Sequence, residues 1–154
     1  MSSELAAPEP KLLVLDANIL VQAVLGRRVL SLLAAYAGRV RFLTPEIAFA
    51  SLRAHLPEIL IKRGLSPEAV AQLLEEGMLR RLPMLVAPVP PEVYAHLELT
   101  ARRRLARRDE SDWPFVALAL RLNCPIWTED QDFFGSGVAT WTTDRVEIYL
   151  EFDP

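Results

Sequence analysis

One cysteine, Cys124, stands in the 154 residues. A lone thiol cannot close an internal disulfide or build a cysteine-based metal cluster, and its isolation suits a reducing, cytoplasmic setting. Its neighbours are apolar, so Cys124 reads as a packed core thiol. No apolar run approaches the roughly 20 residues that cross a bilayer. The opening MSSELAAPEP also lacks a basic stretch followed by an apolar one. The expectation is a soluble, unexported protein with no membrane partner. Basic charge is scarce too: 17 Lys and Arg against 20 Asp and Glu give a net charge of −3. No global attraction for nucleic acid follows, and any such binding has to come from a local patch.

What the chain has in quantity is apolar side chain. Hydrophobic residues make up 51% of it, enough for one domain of ordinary size to bury a sizeable core. Residues 1–10 carry two prolines and no periodic pattern and read as a frayed tail, which leaves residues 11–154 as a single domain. KLLVLD is a short continuous apolar run ending in Asp16, the pattern of a strand buried on both faces of a parallel sheet. Apolar residues then continue at helical spacing from Asn18 to Leu25, where Gly26 interrupts them. A second helix over about 29–37 leads into VRFL, a strand. TPE predicts a helix start, with Thr44 as N-cap and Pro45 at the first helical position. Pro57 should end or bend that helix. SPEAVAQLLEEGM opens in the same way on Ser66 and Pro67 and should end near Gly77. MLVAPV predicts a strand, and PPEVYAHLELTARRRLARR one long helix. SDWPFVALALRLN is apolar on nearly all sides and predicts a buried helix. CPIWT and VATWTT predict the last strands, before a closing helical segment. The alternation gives an α/β class with a parallel sheet covered on both faces.

In such sheets function gathers at the carboxyl ends of strands. Asp16 ends one predicted strand, Asp130 and Asp132 follow another, and Asp112 opens the helix that feeds the latter. Each has a structural explanation: helix caps for Asp16, Asp109 and Asp112, an acidic turn for Asp130 and Asp132. Together, three segments distant in sequence deliver acids to one edge. Crowded carboxylates repel unless a cation neutralises them. Oxygen ligands without histidine or cysteine suit Mg²⁺ or Mn²⁺ rather than zinc. Such ions activate water and stabilise charge on a transferring phosphoryl group, so the natural substrate class is a phosphodiester. Arg102, Arg103, Arg104, Arg107 and Arg108 fall within two helical turns and are either a solvated exterior or phosphate contacts. Arg27 and Arg28 form a second such pair.

LLVLDANILVQAVLG, DESDWPFVALALRLNCPIWTEDQDF and GVATWTT resemble the signature segments of PIN domains, the group that includes VapC-type toxin ribonucleases. The order matches from near residue 11 to near residue 145. The resemblance implies a three-layer α/β/α sandwich around a parallel sheet, with an acidic pocket that binds Mg²⁺ or Mn²⁺. The implied activity is metal-dependent endoribonuclease hydrolysis of single-stranded RNA. Carried over by position, it makes Asp16 the first metal ligand, Asp112 the third family acid and Asp130 the fourth, with Asp132 supporting. Asn18 and Thr128 match positions that help hold the pocket, and Phe133 matches the residue that anchors its loop.

One position departs from the pattern. TPEIAFASLRAHL resembles the family's second acidic element, where a glutamate usually stands about five residues beyond the Pro-Glu pair; here the residue is Ser51. Five residues turn a helix through about 500°, so Glu46 lies roughly 140° round from Ser51 and does not replace it. His55, one turn on, reads as a packing histidine. Two readings follow, a ribonuclease with weakened metal binding or a PIN-fold module that binds RNA or a protein without cutting. A toxin role would bring a cognate antitoxin, and the resemblance also implies a homodimer formed through the third and fourth helices. A haloacid-dehalogenase-like phosphatase would need an aspartate where Asn18 stands. A receiver domain would need an acidic pair at the first strand and a lysine after Asp132, and neither is present.

Overall fold

The structure is a computed structural model that describes residues 9–106 and 108–152. The expected tail therefore lies outside the described residues, apart from the exposed Glu9 and Pro10. Five strands form one parallel sheet: β1 (Lys11–Leu15), β2 (Val40–Pro45), β3 (Val86–Val89), β4 (Ile126–Trp127) and β5 (Thr140–Trp141). Their spatial order is β3-β2-β1-β4-β5. The chain thus builds outward from β1 in one direction and then returns to build outward in the other. The reversal falls between β1 and β4, and a crevice at the carboxyl ends of those two strands is where α/β sheets place ligands.

Leu13, Val14 and Leu15 are each fully buried. A strand can be buried at consecutive positions only if both faces of its sheet are covered, as the continuous apolar run implied. One cover is α7 (Trp113–Leu122), which packs across β1, β2 and β4 and is buried without interruption from Pro114 to Ala119. The α6 helix (Glu98–Arg104) packs against α7. The α3 helix (Glu46–Lys62) packs on β2 and β3, and α1 (Ala17–Leu25) packs against both α3 and α2 (Arg28–Tyr36). The closing helix α8 (Val146–Glu151) is tied to α2 by the Tyr36 hydroxyl, which donates to Glu147 at 3.2 Å and to Glu151 at 2.9 Å. The layered arrangement of helices on a parallel sheet is the one expected from the sequence.

Several local expectations give way to tertiary contacts. Thr44 does not cap α3, because Thr44 and Pro45 are the last residues of β2 and the helix begins at Glu46. The fully buried Thr44 hydroxyl instead donates to the Leu15 carbonyl at 2.9 Å, clipping β2 to the end of β1. Pro57 does not end α3, which continues to Lys62. The missing N–H costs one helical bond, but Leu56 and Leu60 on either side are fully buried, and their packing keeps the helix going. Ser66 caps α4 (Pro67–Leu73) through Ala69 N–H at 3.2 Å, as expected. The chain then passes Gly77 without stopping, through a π-helical stretch Leu74–Arg81 and the short α5 (Leu82–Leu85). The strand expected from Met84 therefore starts at Val86. The single long helix expected after it is two 3₁₀ turns, Pro91–Val93 and Ala95–Leu97, followed by α6 alone. Tyr94 lies between the turns and is almost fully buried, which draws the chain inward where a straight helix would have carried it along the surface.

Because the Thr44 hydroxyl satisfies a carbonyl at the very end of β1, Thr44→Val is expected to lower stability by about 1 kcal/mol. Urea denaturation should show this as a lower midpoint with an unchanged slope. An unshifted midpoint would mean that the clip adds nothing.

Candidate functional site

Beyond the last paired residues of β1 and β4, Leu15 and Trp127, come Asp16 and Thr128, both buried. Asp16 is the N-cap of α1, and its Oδ1 accepts from Ile19 N–H at 2.9 Å. The cap reading and the site reading are thus both satisfied by one side chain. Its other oxygen, Oδ2, accepts from the Thr128 hydroxyl. That hydroxyl in turn accepts from Asp130 N–H at 2.9 Å. Asp130 Oδ1 accepts from Asp132 N–H at 2.9 Å and turns the chain into the 3₁₀ segment Gln131–Phe133. Phe133 is buried edge-on to Phe115 of α7, with ring centroids 6.2 Å apart. The aspartate pair is therefore an Asx-type turn fixed from inside by an aromatic anchor.

Asp112 approaches from the third segment. It is half-buried at the start of α7 and makes no capping bond there. Asp109 caps the 3₁₀ turn Glu110–Asp112 that precedes α7, accepting from Ser111 N–H at 3.0 Å. Burial, reinforced by the negative charges of Asp109, Asp130, Asp16 and Asp132, pushes the Asp112 carboxyl up to about 6. Burial also lifts Asp16 to about 6, against the opposing bonds from Thr128, Ile19 and the Asn18 backbone and with a further push from Asp130. Asp16, Asp112, Asp130 and Asp132 therefore share one electrostatic neighbourhood at the strand ends. All donors are carboxylate oxygens, which suits a hard divalent cation, and a cation would relieve the repulsion that raises Asp112. As they stand, no three acidic, histidine or cysteine side chains among the described residues are arranged to hold a metal ion. The fit is thus one of charge and donor type.

The remaining candidates fall elsewhere. Asn18 is exposed in the first turn of α1. Ser51 is exposed on α3, and its hydroxyl lies 3.5 Å from His55 Nδ1. His55 is exposed rather than packed, and its Nδ1 lies 2.8 Å from the Ser51 carbonyl. The charges that chiefly raise Asp16 and Asp112 come from the other aspartates of the cluster and from Asp109. Arg102 pairs with Glu98 at 2.8 Å and lies over the Trp113 ring at 5.7 Å. Arg103 is exposed. Arg108 donates to the Asp132 carbonyl at 3.0 Å, and Arg107 lies outside the described residues. Cys124 is half-buried, and burial pushes its thiol up to about 12, as befits an unreactive core group.

Sequence reasoning overlooked two aromatics beside the site. Trp113 adjoins Asp112 and meets Tyr94 at 5.8 Å, and the phenol of Tyr94 is raised first by burial and next by the charge of Glu46. Trp113 could have been noticed from its place in SDWP, next to the acid. Tyr94 carried no local signal, because its segment reads as helix.

A parallel α/β sheet with one buried and three half-buried aspartates gathered where its strand order reverses defines the class of the protein, since that edge is where such sheets place their functional groups. The particular family is settled by comparison: the PIN domain family model matches residues 14–151, and the chain belongs to the PIN domain family. Solved structures share the fold. One is VapBC2 from Rickettsia felis bound to a DNA fragment from its promoter, at TM-score 0.62 and 15% identity over 85% of this chain and 98% of that one. Another is FitAcB from Neisseria gonorrhoeae, at TM-score 0.58 and 21% identity over 85% and 97%. No curated protein sequence matches the chain.

Both raised carboxyls have one consequence for stability. Between about pH 4, the ordinary value, and about pH 6 the folded chain holds protons that the unfolded chain has released. The stability they contribute is complete below the unfolded value and is lost as pH rises through 6. In metal-free buffer the melting temperature of the wild type should therefore fall between about pH 4 and about pH 6 relative to Asp112→Asn. Parallel pH profiles for the two proteins would contradict this.

Proposed function

We propose that the chain is a nuclease that hydrolyses phosphodiester bonds of single-stranded RNA with the help of Mg²⁺ or Mn²⁺. The observation that carries the reading is that the charge of Asp130 bears on both Asp16 and Asp112, and that of Asp16 on Asp112, although the three come from remote segments around the carboxyl ends of β1 and β4. Membership of a family of nucleases agrees with it.

Asp16, Asp112 and Asp130 would hold the cation, with Asp132 beside them. A bound divalent ion supplies activation of water and stabilisation of phosphoryl charge. The chain's own contribution is positional. Thr128 and Ile19 orient Asp16, and Thr128 sets the direction in which Asp130 leaves the strand. Asp112, without a capping bond and with a carboxyl at about 6, stands ready to take a proton or a ligand near neutral pH. Away from the acids, Arg27, Arg28 and Arg63 line a cavity of about 220 Å³, and with the exposed Arg103 they offer contacts for the phosphate backbone of an otherwise acidic protein.

The likeness to VapBC2 and FitAcB supports a protein partner of the antitoxin kind. The exposed Ile47 and Ile61 of α3 and Leu79 of the π-helical stretch supply apolar surface for a homodimer. Among the described residues no single helix is long and apolar enough to cross a membrane.

Two observations favour a second reading, a PIN-fold module that binds RNA or a protein without cutting. Ser51 brings no charge, and the carboxylates as they stand do not form a ready ligand set. Incubation with single-stranded RNA and Mn²⁺ separates the readings. Cleavage by the wild type and none by the Asp16→Asn, Asp112→Asn double variant supports the nuclease; equally intact RNA in both supports the binding module. Ser51→Glu is expected to tighten Mn²⁺ binding severalfold in calorimetry, since it restores one carboxylate. Unchanged binding would place position 51 outside the site.

A further inference from the structure

Two arginines, Arg104 at the end of α6 and Arg108 beyond it, are turned toward the acidic loop. Arg104 Nη1 donates to the Ser136 carbonyl at 2.9 Å, and Arg108 Nη1 donates to the Asp132 carbonyl at 3.0 Å. The glycines of the loop explain why both guanidiniums can lie so close. Gly135 and Gly137 each have φ of +85°, a conformation open to glycine and strained for other residues. A Cβ on Gly135 would come within 3.2 Å of Arg108 Nη2, and a Cβ on Gly137 would overlap Arg104 Nη1. Two glycines thus clear space for two guanidiniums, and each guanidinium bonds a carbonyl of the same loop.

The place of Arg108 in the chain gives its bond a further meaning. It stands one residue before Asp109 and four before Asp112, whereas its acceptor is the backbone of Asp132. The bond is therefore a cross-brace between the segment that brings Asp112 and the loop that brings Asp130 and Asp132. Phe133 holds that loop from the core side, and Ser136, whose hydroxyl donates to the Phe133 carbonyl at 2.7 Å, closes it. Arg104 and Arg108 hold it from the solvent side.

We propose that Arg104 and Arg108 are positioning residues that set the separation of Asp112 from Asp130 and Asp132, rather than contacts for the RNA backbone. The proposal deepens the nuclease reading and rests on it for its effect on metal binding, though not for its effect on the loop. Groups that orient metal ligands from behind typically cost 10-fold or more in affinity when removed.

The test uses the full chain, with Mn²⁺ as the probe. In metal-free protein, Arg108→Ala is expected to speed amide hydrogen exchange across residues 130–137, with Arg108→Lys, which can still donate to the Asp132 carbonyl, falling between it and the wild type. Calorimetry should show Mn²⁺ binding weakened about 10-fold in Arg108→Ala and partly restored in Arg108→Lys. Gly137→Ala, which displaces Arg104 without removing a charge, should speed exchange in the same stretch. Unchanged loop exchange in both Arg108→Ala and Gly137→Ala would overturn the brace. Faster exchange with undiminished Mn²⁺ affinity would overturn its positioning role. A wild type that binds no Mn²⁺ would count against the nuclease reading and against that role alike, while exchange would still decide whether the brace exists.

Discussion

The site depends on the hydroxyl of Thr128. Its position follows from the sheet: Val14 and Leu15 pair with Ile126 and Trp127, so the next residues on each strand, Asp16 and Thr128, are brought side by side. A buried carboxylate must have donors or lose its charge. Asp16 has the Ile19 N–H from its own helix and the Thr128 hydroxyl from the neighbouring strand. Because a hydroxyl donates and accepts at once, the same group also receives Asp130 N–H and so aims the acidic loop. A valine of the same shape would remove the hydroxyl donor to Asp16 Oδ2 and the acceptor that aims the start of the loop.

Charge in this protein is largely used internally. The arginines in and after the last turn of α6, which as a bare sequence suggest a contact surface for phosphate, are in part committed to the protein itself: Arg102 to Glu98 and the Trp113 ring, Arg104 and Arg108 to loop carbonyls. Those bonds leave the carboxylates of the cluster without a direct ion pair among the described residues, which is consistent with two of them being pushed upward by burial and by one another. Arg104 and Arg108 thus meet the acidic loop at backbone carbonyls and not at its carboxylates.

The segments that proved legible were those whose pattern has one physical solution. KLLVL can be buried at consecutive positions only inside a covered sheet, and PFVALA only in a helix surrounded by protein; both are found so. Local punctuation was a poorer guide. Thr44 and Pro45 carry a good helix-start signal, yet pairing with β3, with Thr44 opposite Pro88 and Pro45 opposite Val89, keeps them in the strand. Pro57 and Gly77 carry stop signals that buried leucines and a π-helical turn overrule. The stretch from Pro91 to Leu97 has helical periodicity, but the burial of Tyr94 against Trp113 bends it into two turns.

Taken alone, the sequence determined the class of fold and the presence of acids after its apolar strands, because apolar periodicity and residue type are properties of the chain itself. Which acids share a site was decided by the tertiary structure. Strand order places β4 rather than β3 beside β1, and this puts Thr128 against Asp16. The roles of Tyr94, Trp113, Arg104 and Arg108 were likewise decided there, since each depends on a contact between segments that sequence spacing cannot measure. The loop TEDQDFFGSGV shows both parts: its aspartates and glycines are visible in the sequence, but only the folded chain shows that the glycines make room for the arginines that brace the aspartates.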